Sequence, residues 1–391
     1  MAIEGEKLKA APRRLRLGMV GGGEGAFIGG VHRIASRIDD RYELVAGAFS
    51  SDPARSRSSA AGLLVAPERA YASFEEMAKR EAARLDPIDV VAIVTPNHVH
   101  FPAAKAFLEA GIHVICDKPL TTNLKDAEAL AALVEKTELE FCLTHNYTGY
   151  PLVRQMRDMV RAGALGTLRV IQAEYPQDWL STKLEASGQK QALWRTDPAQ
   201  SGPVGSLGDL GTHAYNLIRF VTGLETEAIA ADLHRFVEGR RVDDNAHVML
   251  RLKGGARGMI WASQCAPGNA NSFKVRFYGE TGGLEWAQEN PNLLIHSPLG
   301  EQARTLTRGG AGLGAAANAA TRIPPGHPEG YLEGFAQLYR DFAERVTARL
   351  EKRKPDPMAM LIPSVADGVD GVRFLARAVE SGHNNSAWVA F

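Results

Sequence analysis

The sequence predicts an α/β chain of two domains, a doubly wound parallel sheet followed by a domain with a mainly antiparallel sheet. Three observations lead there. At 391 residues the chain is too long for one ordinary core. Its first third alternates uniformly apolar, strand-length runs with helical stretches, the pattern of a parallel sheet covered on both faces. Beyond Tyr147 the strands alternate in polarity and are joined by short turns, which marks an antiparallel sheet with one more solvated face. The boundaries read from this rhythm are an exposed tail over residues 1–12, a first domain over 13–147 and a second over 148–391, whose C-terminal helix can pack back on the first.

In chain order, residues 15–20 read as a short buried strand, followed by glycines and a helix that runs to Arg37. Residues 42–48 form the second strand, and 73–85 have helical spacing with Phe74, Met77 and Leu85 on one side. Residues 89–94 (DVVAIV) are a continuous apolar run ended by Thr95, Pro96 and Asn97. A helix over 102–110 stops at Gly111, a strand follows at 113–116, and 124–135 is a helix capped by Asn123. Residues 140–144 complete the parallel series. In the second domain, residues 168–175, 246–252, 256–264 and 272–278 read as strands, with Phe273, Val275 and Phe277 opposed to Lys274, Arg276 and Tyr278. Residues 304–320, rich in glycine and alanine, read as a mobile loop, and 331–349 and 364–381 as helices.

Charge and cysteine content exclude several classes of function. Lys+Arg and Asp+Glu balance at 45 each, so no net field points to nucleic acid or a membrane surface. No stretch reaches the roughly 20 apolar residues of a membrane span. Cys116, Cys142 and Cys265 are too few and too scattered for a disulfide framework or a zinc site, which predicts no metal and a reducing, cytoplasmic setting. Arg13 and Arg14 are not followed by the long apolar region of a twin-arginine export signal.

"GMVGGGEGAFIGGVHR" closes the first strand and opens the first helix. Glycines there let the backbone approach a pyrophosphate whose charge sits against helix N-terminal amides, so the loop predicts a bound dinucleotide. The Gly-x-Gly-x-x-Gly spacing is met if Gly21, Gly23 and Gly29 are its glycines and three residues, 24–26, are inserted. The second strand runs into "AFSSDPARSR", with Ser50 where an acid would bind the adenosine ribose. Ser50, Ser51 and Arg55 suit a 2′-phosphate, so the cofactor is NAD or NADP with a lean to NADP.

"VICDKPLTTN" puts Lys118 just past the carboxyl end of a parallel strand, where the crevice of such sheets lies, and Pro119 aims it. "GSLGDLGTHAYNLIRF" places Asp209 and His213 at i and i+4, on one helix face. An acid, a histidine and a lysine together suit alcohol oxidation. A base takes the hydroxyl proton, a cation steadies the developing alkoxide, and the carboxylate orients the base.

The motifs jointly resemble the glucose–fructose oxidoreductase, inositol dehydrogenase and rhizopine catabolism (Gfo/Idh/MocA) family over nearly the whole chain. The resemblance rests on the glycine loop ending in His32, "TPNHVH" at 95–100, "DKP" at 117–119, "DLGTH" at 209–213 and "YGETGGLEW" at 278–286. It implies a Rossmann domain, then an α/β domain with a large open sheet that often mediates oligomerisation, hence a homodimer or homotetramer. Carried over by motif, Lys118 would bind the reacting hydroxyl, Asp209 would orient the substrate and His213 would be the acid/base. Thr95, Pro96, Asn97 and His98 would lie along the nicotinamide side, with Asp117 and Lys118 beside it. Phe27, Ile28, His100 and Asn146 complete the implied cofactor contacts. Asp117 stands where the family usually has Glu, which shortens its reach, and Thr148 in "HNYTGY" stands where an arginine is frequent.

"EYPQDWL" at 174–180 is similar to a segment of levoglucosan and related cyclic-sugar dehydrogenases of this family. With Tyr147, Gln177 and Asp178 as polar contacts and Trp179 as an apolar face, it implies a small carbohydrate or cyclitol partner. Trp194 and Arg195 of "WRTDP", and His327 of "IPPGHPEGY" from this or a neighbouring subunit, are further candidates. The implied activity is NAD(P)-dependent oxidation of a secondary hydroxyl of a sugar, anhydrosugar or inositol. Two alternatives stand beside it: a glycosidase using transient oxidation by held NAD, and a non-catalytic nucleotide or sugar sensor, which has no need to retain Lys118 and His213.

Overall fold

The computed structural model describes residues 13–391, so the tail read over 1–12 lies outside the described residues. Arg13 enters the fold by donating both guanidinium nitrogens to the Asp89 carboxylate, at 2.6 and 2.8 Å.

The first domain runs β1 (Leu15–Gly21), α1 (Phe27–Ile38), β2 (Tyr42–Ala48), α2 (Pro53–Gly62), α3 (Phe74–Ala82), β3 (Val90–Val94), α4 (His100–Glu109), β4 (His113–Cys116), α5 (Leu124–Thr137) and β5 (Phe141–Leu143). All strand pairs are parallel, in the order β2-β1-β3-β4-β5. The order reverses between β1 and β3, so the carboxyl ends of those strands open a crevice. The helix signals act as read. Asn123 caps α5 by accepting from the Asp126 amide at 2.9 Å, and Gly111 follows α4 at φ +79°.

The second domain continues α6 (Pro151–Arg161), β6 (Leu168–Pro176), α7 (Lys190–Arg195), α8 (Pro198–Ser201), α9 (Thr212–Thr222), β7 (Thr226–His234), β8 (Asn245–Leu252), β9 (Arg257–Ser263), β10 (Lys274–Gly279), β11 (Gly282–Ala287), β12 (Leu293–Pro298), β13 (Arg304–Thr307), α10 (Ala315–Ala320), α11 (Tyr331–Leu350), α12 (Val365–His383) and β14 (Val389–Ala390). The nine strands lie in the order β13-β12-β11-β10-β6-β9-β8-β7-β14, antiparallel except for β6 with β9. Phe273, Val275 and Phe277 are fully buried, as the alternation requires. The other face stays open and carries half-exposed apolar side chains, among them Val170, Met249, Met259 and Tyr278, beside polar ones such as Gln172 and Arg257.

Two features depart from the sequence reading. Residues 304–320 are not one loop: β13 pairs with β12, and α10 buries Ala316, Ala317 and Ala320. An edge strand of four residues and an alanine helix carry little amphipathic signal, so composition alone read as coil. Secondly, the return to the first domain read for the C-terminal helix alone is made by both long C-terminal helices. Phe335, Tyr339 and Phe342 of α11 share a core with Leu17 and Val90, while Val369 and Val372 of α12 join Leu120 and Leu130. A buried ion pair, Arg154 of α6 to Asp341 of α11 at 2.6 Å, fastens this return. Among the described residues no helix is long and apolar enough to cross a membrane, and the three cysteines are free thiols.

Candidate active site

One cleft of about 1290 Å³ runs from the glycine loop, across the crevice between β1 and β3, to the second sheet. At its near end, Gly21 and Gly22 have φ of +78° and +70°. A Cβ on Gly29 would stand 2.3 Å from the Gly22 Cα, and one on Gly23 would stand 2.7 Å from the Phe49 carbonyl oxygen. Glycine at these positions lets the loop pack closely against α1 and the end of β2, which sets its bare backbone ahead of the α1 amides, where a pyrophosphate fits. Residues 24–26 form the inserted turn, closed by the Ala26 amide donating to the Gly23 carbonyl at 3.1 Å. Phe27 and Ile28 line the cleft beyond it.

Ser50, Ser51 and Arg55 line the ribose end. The neighbouring Asp52 carboxylate is engaged as the α2 cap, accepting from the Arg55 amide at 2.8 Å. Ser73, Phe74 and Glu75 line this end too, residues that sequence reasoning left to helix packing and that only the fold delivers here.

Thr95, Pro96, Asn97 and His98 form the wall past β3. Asn97 reaches the second domain, donating from Nδ2 to the Ser201 carbonyl at 2.9 Å. His100 is a correction. It is buried behind that wall, its Nδ1 facing the Pro119 carbonyl at 2.7 Å and its Nε2 the Thr95 carbonyl at 3.0 Å, and it does not line the cleft. It braces the two loops instead of touching a ligand. Asp117 does line the cleft, with its Oδ1 accepting from Thr144 Oγ1 at 2.7 Å and from the Lys118 amide at 3.0 Å. Thr95 Oγ1 and Asn146 Nδ2 are buried at the cleft with no partner, two polar atoms that a bound nicotinamide ring and its carboxamide would satisfy. The residues present therefore fit a nicotinamide dinucleotide.

Lys118, on the turn that contains a cis Lys118–Pro119 peptide, extends to Asp209 and donates to its carboxylate at 2.8 Å and to its backbone carbonyl at 2.6 Å. Arg195 Nε at 3.2 Å and Gln264 Nε2 at 2.9 Å donate to the other carboxylate oxygen. Burial alone would raise the Asp209 pKa, but the charges of Lys118 and Arg195 outweigh it and hold the carboxyl well below its usual range. His213 is buried, and desolvation, then the nearby Lys118, push its pKa well below the ordinary imidazole value. It starts neutral.

Asp209 does not orient His213, contrary to the sequence reading. The backbone over Leu207–Gly211 winds as a wide turn with Thr212 N bonded to Leu207 O, five residues back, and the Asp209 carboxylate is taken by Lys118, Arg195 and Gln264, with no hydrogen bond to His213 among the described residues. His213 Nδ1 instead faces His145 Nδ1 at 3.5 Å, and the Tyr147 ring lies edge-on at 4.9 Å.

On the far wall Gln177 and Trp179 line the cleft as read, Asp178 is a correction, and Tyr175 was not foreseen. Tyr175, Gln177 and Trp179 line the cleft while Asp178 is exposed and outside it, as alternation continuing from β6 demands. Arg195 lies 4.3 Å from the Trp194 ring centre and 5.9 Å from that of Trp179. Tyr147 and Tyr175 hydroxyls meet at 2.5 Å, and Asn271 Oδ1 accepts from Tyr175 at 2.8 Å and from Gln177 at 2.6 Å. His327 is exposed, does not line this cleft, and sits in a loop whose carbonyls are held by Arg308. Asn271, Gln288 and Tyr331 line the cleft unforeseen, since no motif marks them.

Comparison with known proteins gives a consistent outcome. Residues 15–145 match the family described as oxidoreductase family, NAD-binding Rossmann fold (GFO/IDH/MocA), and 153–285 match the GFO/IDH/MocA C-terminal domain. An uncharacterised oxidoreductase of Bacillus subtilis (strain 168) is 34% identical over 394 residues, covering 100% of both chains. A levoglucosan dehydrogenase of Pseudarthrobacter phenanthrenivorans is 28% identical over 74% of this chain and 78% of its own. Among solved structures, an oxidoreductase from Sinorhizobium meliloti is 51% identical with a TM-score of 0.88, over 96% of this chain and 99% of that one. An inositol dehydrogenase homolog from Azotobacter vinelandii, complexed with NADH and myo-inositol, is 34% identical with a TM-score of 0.90, over 97% and 98%.

Proposed function

The chain belongs to the GFO/IDH/MocA oxidoreductase family, and on that premise we propose that it moves hydride between a ring secondary hydroxyl of a cyclic polyol or anhydrosugar and a nicotinamide dinucleotide. The observation that carries this reading is that Lys118 and His213, distant in sequence, line one cleft continuous with the glycine loop.

Bound in that cleft, the dinucleotide supplies the hydride acceptor or donor. The glycine loop and the α1 N-terminus hold its pyrophosphate. Thr95 and Asn146 offer their unpartnered atoms to the nicotinamide end. Lys118 has three N–H groups, of which two are given to Asp209, so one remains for the substrate oxygen as negative charge develops there. If His213 donates from Nδ1 to His145, its Nε2 presents a lone pair, and the neutral ring takes the hydroxyl proton. In the reverse direction the same nitrogen returns it. Arg195 holds the second oxygen of Asp209, which keeps the carboxylate, and through it the ammonium, in place.

Substrate class follows from the far wall. Trp179 and Trp194 offer apolar faces, and Tyr175, Gln177 and Asn271 offer hydroxyl partners, a combination suited to a polyhydroxylated ring. Relatives complexed with NADH and myo-inositol, or with NADH and levoglucosan, support the same class. The open face of the second sheet supports self-association: Val170 pairs with Tyr278, and Met249 with Met259, as exposed apolar pairs in two neighbouring rows that also carry Arg257 and Gln172. We read that face as the contact of a homo-oligomer, and Met259→Lys should shift the chain to a smaller species in light scattering; an unchanged mass defeats that assignment.

The test of function is a panel of cyclitols, anhydropyranoses and linear polyols, followed by absorbance of the reduced nicotinamide. Turnover on cyclic members is expected. Failure on every ring, with NADH bound normally, overturns the proposal.

A further inference from the structure

The three-residue insertion in the glycine loop faces a lysine from the other domain. Lys190 opens α7, and its Nζ lies 4.0 Å from the position of a Cβ on Gly25, the middle inserted residue. Lys190 lines the same cleft as Gly23, Glu24 and Ala26. Its ammonium makes no ion pair or hydrogen bond among the described residues, although Glu24 is close at hand in the loop.

The overhang that presents Lys190 is anchored from below. Buried Arg240 donates to the Leu180 carbonyl at 2.9 Å and the Thr182 carbonyl at 3.0 Å, and pairs with Glu185 at 3.1 Å. Gln189 then caps α7, accepting from the Ala192 amide at 2.6 Å. A long, flexible cation is thus delivered by a fixed backbone to the mouth of a cradle that already offers neutral amides to an anion.

We propose that Lys190 is a cofactor-binding residue: it closes on the pyrophosphate of the bound dinucleotide from the second domain, and the insertion at 24–26 shapes the loop to meet it. The cofactor is then gripped by both domains, and its charge draws the overhang onto the first. This rests on the glycine loop being the pyrophosphate site, which the experiment checks separately.

The experiment measures equilibrium binding of NADH, ADP-ribose and adenosine by calorimetry, at several NaCl concentrations, for the wild type, Lys190→Gln and Lys190→Arg. Losing one partly exposed charge contact should weaken NADH and ADP-ribose by about tenfold in Lys190→Gln. Adenosine, which lacks the pyrophosphate, should bind unchanged, the salt dependence of NADH binding should flatten, and Lys190→Arg should restore most of the affinity. Unchanged NADH affinity and salt dependence in Lys190→Gln overturns the role of Lys190 alone. An equal loss for adenosine overturns it too, since the residue would then act on the fold. A wild type that does not bind ADP-ribose better than adenosine overturns the pyrophosphate site itself.

Discussion

Lys118 of the first domain gives two hydrogen bonds to a single residue of the second, Asp209, at 2.6 Å to its carbonyl and 2.8 Å to its carboxylate. The pairing bridges 91 positions of sequence, and the carboxylate is shared with Arg195 and Gln264. A flexible ammonium is thereby held in one place beside His213. The aim of the lysine is a property of the closed pair of domains, not of its own loop.

Asp209→Asn keeps the shape and removes the charge that holds Lys118. Turnover should fall by about a hundredfold, the size expected when a reacting group is misplaced by an ångström. NADH affinity should stay within about twofold, as Asp209 is argued to act at the substrate. Steady-state kinetics with a parallel binding titration checks both; a loss confined to NADH binding would move Asp209 to the cofactor.

Acid should unfold the protein through its buried histidines. Burial lowers the pKa of His145 to about 3 and those of His32 and His113 to about 4. The unfolded chain takes up these protons below about pH 6.5, while the folded chain refuses them. Stability is therefore complete above about 6.5 and erodes as pH falls toward 4, by about 1.4 kcal/mol per pH unit for each such histidine. His113 lies away from the cleft, so His113→Gln should flatten the acid slope of denaturant midpoints without touching the site. A slope identical to wild type would contradict the assignment.

Asp341→Ala should cost about 3–5 kcal/mol, because it strands the Arg154 guanidinium in a buried site. The paired change Arg154→Met with Asp341→Leu should recover most of the loss. Urea denaturation of both variants tests this, and a mild Asp341→Ala would show that Arg154 finds another acceptor.

Arg55→Ala should lower kcat/KM for NADP by about tenfold more than for NAD, the cost of one charged contact to a 2′-phosphate. Ser50, Ser51 and Arg55 line this end of the cleft with Asp52 turned away as a cap, the arrangement a 2′-phosphate would use, whereas the solved inositol dehydrogenase homolog is complexed with NAD+ or with NADH. Equal losses for the two coenzymes would assign Arg55 to helix structure.

Much of this was legible from residues alone where one physical signal dominates. The strands at Tyr42–Ala48 and His113–Cys116 stand at the bounds read for them, because apolar β-formers meet abrupt polar stops. The alternation of an extended chain sets Asp178 apart from Gln177 and Trp179 and points to Tyr175, a signal that the motif-based reading of Asp178 as a polar contact does not use. Other features depend on distant pairings. Lys118 and Gln264 reach Asp209 from distant segments, so helical spacing alone misjudged which group its carboxylate serves. His100 looks like a ligand contact until Thr95 and Pro119 fold over it. Asn271 enters the cleft, and Gln264 reaches the Asp209 carboxylate, from the ends of a sheet whose register no local segment specifies.

The most direct measurement is a crystal structure of the chain with NADH and myo-inositol bound together. A single ring hydroxyl should lie within hydrogen-bond distance, about 2.6–3.2 Å, of both Lys118 Nζ and His213 Nε2. A ring seated in the cleft with its nearest hydroxyl touching neither nitrogen would contradict the proposed chemistry.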